Sequence, residues 1–284
     1  MGGSLALAAK RAGVVNQVVG WSRRESTLAT ALSTGVIDVA EADLTAALKM
    51  ADCVVVATPT ILAESLMVKV LEQVAPQVVV TDVASVKGNI AKALTKRFGG
   101  IPKNAVLGHP IAGSEQSGVA AANVALYRDH KVILVRDKGT DESAFEKMSA
   151  LWQAAGADVQ EMGTVEHDRV LALTSHLPHV LAYALVGQLA ADKDSDAVFQ
   201  FAAGGFRDFT RIASSDPRMW AEIVLANKAE LRNAMAGFQH QLDSILSMLD
   251  ADADDELEAL FANVKQQRDE FVASLAARSP PKGS

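Results

Sequence analysis

Through about residue 160 the chain alternates short Val- and Ile-rich runs with amphipathic helical stretches, and after Val165 no strand-like run recurs. That alternation allows few architectures. Short apolar runs separated by helical patterns build a parallel sheet with helices on its faces, while an uninterrupted helical remainder must pack on itself or on a second copy. The strand candidates are Gln17–Trp21, Cys53–Ala57, Gln77–Asp82, Ala105–His109, Lys131–Val135 and Asp158–Met162. Several are nearly continuous in apolar residues, as strands covered on both faces are. Between them, Leu44–Met50, Ile61–Ala75, Lys87–Phe98 and Glu142–Ala155 carry the helical period. With 284 residues the chain has material for two cores. The predicted domains are 1–163 (α/β) and 164–276 (all-helical), with 277–284 a disordered tail.

Charge and cysteine content narrow the partners. Lys and Arg number 27 against 34 Asp and Glu, so no field for a polyanion exists and nucleic acid is not expected. The single cysteine, Cys53, cannot form an internal disulfide, which fits a reducing compartment. Neither a signal core nor an apolar stretch of membrane-spanning length stands out, so the expectation is a cytoplasmic protein without a membrane partner.

In the helical half, Pro178 falls inside the long apolar segment His167–Ala191, removes one backbone donor and predicts a bend. Asp216-Pro217 reads as an N-cap with proline in the first turn, opening a helix over Arg218–Leu249. Asp250-Ala-Asp252-Ala-Asp254 starts like a calcium loop, but Asp255 and Phe261 stand where glycine and glutamate are required; acidic residues opening a last helix explain it better. The apolar surface of these helices and the aromatic cluster Phe199, Phe201, Phe206, Phe209 and Trp220 favour a homodimer over a self-contained bundle.

Two segments concentrate chemistry: His109-Pro110-Ile111-Ala112-Gly113-Ser114-Glu115 after a strand, and Thr174-Ser175-His176-Leu177-Pro178-His179 within the helical half. A lone histidine is most often a satisfied core residue, but imidazoles set beside proline, hydroxyls and small residues at two places suit a cleft. His176 and His179 have metal-ligand spacing, yet no nearby Cys or carboxylate completes a set, and no metal is predicted. At the front, Gly2-Gly3 opens a helix followed by a strand, the second half of a β-α-β nucleotide unit in which glycines admit a pyrophosphate. Gly2 can only be the final glycine of the Gly-x-Gly-x-x-Gly fingerprint. The first strand of the fold is therefore missing, and an in-frame upstream extension of roughly 10–15 residues is expected. The ribose-reading position falls on Ser22, followed by Arg23 and Arg24: donors suited to a 2′-phosphate, or a solvated basic turn.

With these pieces placed, the chain resembles the prephenate/arogenate dehydrogenase family of tyrosine biosynthesis. The resemblance runs from Gly2 to the late helices, through Asp82-Val83-Ala84-Ser85-Val86-Lys87, His109–Glu115, His167-Asp168-Arg169, Ser175–His179, and Gly205–Ala213 followed by Ser215-Asp216-Pro217. It implies a Rossmann-like nucleotide-binding domain followed by an all-α dimerisation domain. The implied reaction is oxidative decarboxylation of prephenate to 4-hydroxyphenylpyruvate, with hydride passing to NAD or NADP. Implied roles are His109 as base towards the ring hydroxyl, Ser85 holding His109 and the nicotinamide, and His179 and Arg211 lining the substrate pocket. Ser175, Glu115, Asp208 and Trp220 would support it; Arg211 could instead pair with Asp208 three residues earlier. Gly2, Gly3, Ser22, Arg23, Arg24 and Ser85 would hold the cofactor, with a lean to NADP. The alternatives are an arogenate dehydrogenase, a β-hydroxyacid dehydrogenase (which would want a lysine on the long helix), and a truncated, inactive helical dimer.

Overall fold

The computed structural model describes residues 1–113 and 118–278. The chain divides into two compact units, Met1–Leu231 and a second beginning at Arg232.

In the first unit, β1 (Val19–Trp21) pairs in parallel with β2 (Val39–Glu41), and β3 (Cys53–Val56), β4 (Val79–Asp82) and β5 (Ala105–Val106) form a second parallel set. A third set joins β6 (Gly108–Pro110), β7 (Lys131–Val135) and β8 (Asp158–Met162). β7 and β8 lie parallel and begin and end where the sequence predicts, but β6 runs antiparallel to β7. The expected strand Ala105–His109 is thus two, parted at Leu107, whose carbonyl accepts the Val135 amide at 2.8 Å. The sheet is mixed rather than purely parallel for that reason. β2 and the helix before it, α2 (Glu25–Ser33), had no clear signal; a three-residue strand is too short to display a period.

The remaining helices of this α/β part are α1 (Gly2–Arg11), α3 (Leu44–Lys49), α4 (Thr60–Leu71), α5 (Gly88–Phe98) and α6 (Glu142–Ala154). Asp43 and Asp141 cap α3 and α6 by accepting first-turn amides. Alternation along the strands sends Val79, Val106, Val132 and Leu134 to a core containing Met148 and Trp152. Val80, Ala105, Leu107 and Val135 enter another with Met67, Ile90 and Leu94.

The helical part of this unit begins with Thr164–Ala190. By length and composition this helix could cross a membrane, with mean hydropathy 1.4. That differs from the sequence expectation, since no single run within it is continuously apolar. It nevertheless buries His167, Asp168 and His176, which hydrogen-bond to this unit's other segments. α7 (Thr164–Leu171) passes into a π-helical turn, Ala172–His176, and then α8 (Leu177–Ala190). The wider turn lies just before Pro178 and absorbs the missing donor without breaking the helix. α9 (Ser195–Gln200), α10 (Gly204–Thr210) and a 3₁₀ turn, Arg211–Ser214, lead to α11 (Pro217–Ala226), capped by Asp216 through the Met219 amide at 2.7 Å. The helix expected over Arg218–Leu249 is interrupted at Asn227, where α12 (Lys228–Asp250) starts afresh.

The second unit holds the later part of α12 and α13 (Asp254–Arg278), whose first turn carries Asp254, Asp255 and Glu256 as expected of a helix N-terminus. α13 extends through Ala277 and Arg278, two residues into the predicted tail; 279–284 lie outside the described residues. Leu242, Leu246, Leu249, Phe261, Val264 and Phe271 are exposed on these helices.

Candidate active site

The site grows from the C-terminal end of β4. Asp82 and Lys87, both fully buried, form an ion pair across the turn after the strand. Asp82 also accepts the Ala84 amide at 2.9 Å and the Gly108 amide at 3.2 Å, while Lys87 Nζ donates to the Gly108 carbonyl at 2.7 Å. Two buried charges are tolerated here because they pair with each other and each also hydrogen-bonds to backbone groups. Together they clamp both backbone groups of Gly108, the residue before His109. Only glycine fits there: a Cβ would stand 2.8 Å from the Asp82 carbonyl oxygen.

His109, on β6, places Nδ1 2.8 Å from His167 Nε2 on α7. His167 Nδ1 in turn lies 2.8 Å from Asp168 Oδ1. Asp168 receives the backbone amides of Lys87 (2.9 Å) and Gly88 (2.8 Å) at the start of α5. A Cβ on Gly88 would sit 2.5 Å from Asp168 Oδ2, so this contact also demands glycine. Asn227, at the helix break, donates from Nδ2 to the Asp168 carbonyl at 2.8 Å and lies 3.1 Å from His176 Nδ1. The helix break thus puts an amide against the histidine cluster.

The electrostatics keep these imidazoles neutral. Burial, then the charges of His167, Lys87 and His176, holds His109 well below the usual histidine value. Burial lowers His167 as well, against the opposing pull of Asp168, and brings His176 down to about 4. Burial pushes the Asp168 carboxyl up, but hydrogen bonds from His167 and the Lys87 and Gly88 amides outweigh it and hold it below the ordinary range.

His179, half-buried on α8, donates from Nδ1 to the Ser175 carbonyl at 2.9 Å and stacks on Trp220 with ring centroids 3.5 Å apart. Its value is lowered by burial and further by the Arg211 guanidinium, which places Arg211 within electrostatic reach. Asp208 pairs with its neighbour Arg207 at 3.6 Å on the surface. Trp220 Nε1 is buried without a hydrogen-bond partner among the described residues. Ser85 lies in the turn between Asp82 and Lys87, but among the described residues no hydrogen bond joins it to His109; His167 takes that place. Glu115 lies outside the described residues. In the sequence His167-Asp168 stands as a motif without an evident role, and nothing local marks Asn227. Both act through partners 51 to 81 positions away, which one sequence cannot display.

A dinucleotide fits the strand ends nearby. Gly2 opens α1 with no side-chain cap and so close to the end of β3 that a Cβ on it would meet Ala57 Cβ at 2.5 Å. The first-turn amides of such a helix are free to bind phosphate. Beside Ala57, Thr58 Oγ1 is buried with no hydrogen-bond partner among the described residues, a polar atom left for a ligand. Ser22 accepts the Arg24 amide at 3.1 Å just past β1, leaving the Arg23 and Arg24 side chains exposed.

A nucleotide-type α/β part whose strand ends carry a neutral histidine, backed by a second histidine and a carboxylate, defines a two-part oxidoreductase. Family comparison gives the same class. Residues 5–161 match the prephenate dehydrogenase nucleotide-binding domain and 164–275 the prephenate dehydrogenase dimerization domain. The chain belongs to the prephenate dehydrogenase family. It is 34% identical to a Bacillus subtilis prephenate dehydrogenase over 95% of this chain and 73% of that one. A crystal structure of Aquifex aeolicus prephenate dehydrogenase, in complex with hydroxyphenyl propionate and NAD+, is 33% identical with a TM-score of 0.87, covering 95% and 94% of the two chains. A Synechocystis arogenate dehydrogenase structure is 27% identical with a TM-score of 0.82, covering 95% of each.

Proposed function

We propose that this chain oxidises and decarboxylates prephenate to 4-hydroxyphenylpyruvate, with His109 as the base. The observation that carries the reading is the neutral His109 held at a strand end beside a dinucleotide-type cradle. The nicotinamide, when bound, accepts hydride from the carbinol carbon. His109 accepts the proton of the ring hydroxyl, which relieves the positive charge that hydride loss creates; such help is worth about 10²–10⁴-fold. The ring carboxylate then leaves as carbon dioxide and the ring becomes aromatic. Arg211, exposed and close to His179, offers a fork for a substrate carboxylate. His179 stacked on Trp220 makes one wall, with Ser175 supplying the carbonyl that orients it. Ser85 and Glu115 complete the set from the family resemblance.

Gly2 and Gly3 are assigned to the pyrophosphate, and Ser22, Arg23 and Arg24 to the adenosine ribose, where their donors favour NADP over NAD. The domains are read as 1–163 and 164–276, the second forming a homodimer through its exposed apolar helices. The cytoplasm is the proposed compartment. Arogenate is the second reading, favoured by the similarity to the Synechocystis enzyme. Steady-state assays with both substrates and both cofactors test these choices. His109→Asn is expected to lower turnover with the preferred pair by at least 10²-fold with binding retained. Turnover within a few-fold of the parent would remove His109 from the mechanism.

A further inference from the structure

The hydrogen-bond chain behind His109 has a direction, and the direction assigns a proton. Asp168 is held between two backbone amides, those of Lys87 and Gly88, which can only donate; its oxygens therefore accept. A carboxylate that accepts at Oδ1 requires His167 Nδ1, 2.8 Å away, to carry hydrogen. A neutral ring with hydrogen on Nδ1 presents a lone pair at Nε2. That lone pair faces His109 Nδ1 at 2.8 Å, so His109 Nδ1 must donate. His109 is then left with its own lone pair on Nε2, which makes no hydrogen bond among the described residues.

We infer that His167 and Asp168 are positioning residues that lock His109 in the Nδ1–H tautomer, so that Nε2 is the atom that takes the substrate's hydroxyl proton. The inference rests on the proposed role of His109 and adds the groups that prepare it. In the step itself, the hydroxyl O–H bond breaks, its proton forms a bond to His109 Nε2, and the electron pair left on oxygen becomes the new carbonyl as hydride departs to the nicotinamide. The Nδ1 proton stays in place, directed at His167. The resulting imidazolium is connected through His167 to the Asp168 carboxylate, which opposes the unfavourable field of Lys87; His176, held neutral, adds repulsion only in acid. Asp82 neutralises Lys87 across the turn, so the net field at His109 at working pH depends on Lys87, Asp82 and Asp168.

The test is Asp168→Asn. The Lys87 amide and His167 Nδ1 share Oδ1 and the Gly88 amide takes Oδ2, so an asparagine must set its N–H₂ against one of these amide donors. Whichever way it turns, His167 Nδ1–H loses its charged acceptor, and the chain no longer holds His109 in one tautomer. ¹⁵N spectra of imidazole-labelled protein read the tautomer without any reaction. Expected are Nδ1–H on His109 in the parent and a mixture of both tautomers in Asp168→Asn, with kcat lowered at least tenfold, KM within a few-fold, and a shifted acid limb of the kcat profile. A second pair guards against misfolding. His167→Gln, whose side-chain oxygen can accept from His109 Nδ1, should recover at least tenfold more kcat than His167→Ala. An Nε2–H tautomer in the parent, or unchanged tautomer and kcat in Asp168→Asn, overturns the inference. A parent inactive on both substrates while showing the Nδ1–H tautomer overturns the proposed function but not the locking of His109.

Discussion

The turn after β1 and the turn after β4 both close a parallel strand, yet they are built oppositely. After β1, Ser22 makes one local hydrogen bond, and Arg23 and Arg24 stand in solvent. After β4, Asp82 and Lys87 are fully buried and knit the turn to β6, while Asp168 knits α7 to α5. Exposed charges are screened and cost little to change, whereas a buried charge that loses its partner leaves desolvation uncompensated. The first turn can therefore drift in cofactor choice without harm to the fold, and the second cannot vary without disturbing both the fold and the position of His109.

Breaking the buried side should have the largest effect. Lys87→Met removes the cation beside Asp82 and the donor to the Gly108 carbonyl, and should destabilise the protein by about 3–5 kcal/mol in denaturant titration. A loss below about 1 kcal/mol would mean that this turn behaves like the one after β1.

Acid should act next, and through the same region. His109, His167 and His176 have folded values below the ordinary 6.5. Unfolded histidines bind protons near 6.5 and these three resist, so the folded state gains nothing above that pH and loses stability as pH falls below it. For His176, at about 4, the loss is complete near pH 4 and amounts to about 3 kcal/mol. Melting temperature followed from pH 7 to 4 should fall steeply, and His176→Asn should flatten part of that fall. A profile unchanged by the substitution would place the acid sensitivity elsewhere.

The smallest effect belongs to the open turn. Ser22→Asp should shift cofactor preference from NADP towards NAD by about tenfold in kcat/KM, with melting temperature unchanged, because a carboxylate accepts from a ribose hydroxyl and repels a 2′-phosphate. A parent that already favours NAD strongly would remove the basic turn from cofactor selection.

Much of this molecule could be read without coordinates where the signal is local. Continuous apolar runs located β3, β4 and β7 to within two residues, and Asp216 was legible as a cap because its partner is three residues on. His109 and His179 stood out through unusual neighbours. What remained hidden was the pairing. The antiparallel turn of β6 depends on Leu107 meeting Val135, and the break at Asn227 on an amide reaching the Asp168 carbonyl. Nor does the string His167-Asp168 say that one residue backs His109 and the other caps the turn at Lys87 and Gly88.

The sequence by itself determined the α/β half, the helical half and the positions of the histidines, because hydrophobic period and capping are encoded over a few consecutive residues. Only the tertiary structure decided which histidine is oriented, by what, and with which nitrogen free. Those are properties of hydrogen bonds between groups 58 and 81 positions apart, and such bonds acquire a direction only when folding strips them of water and every buried donor must find an acceptor.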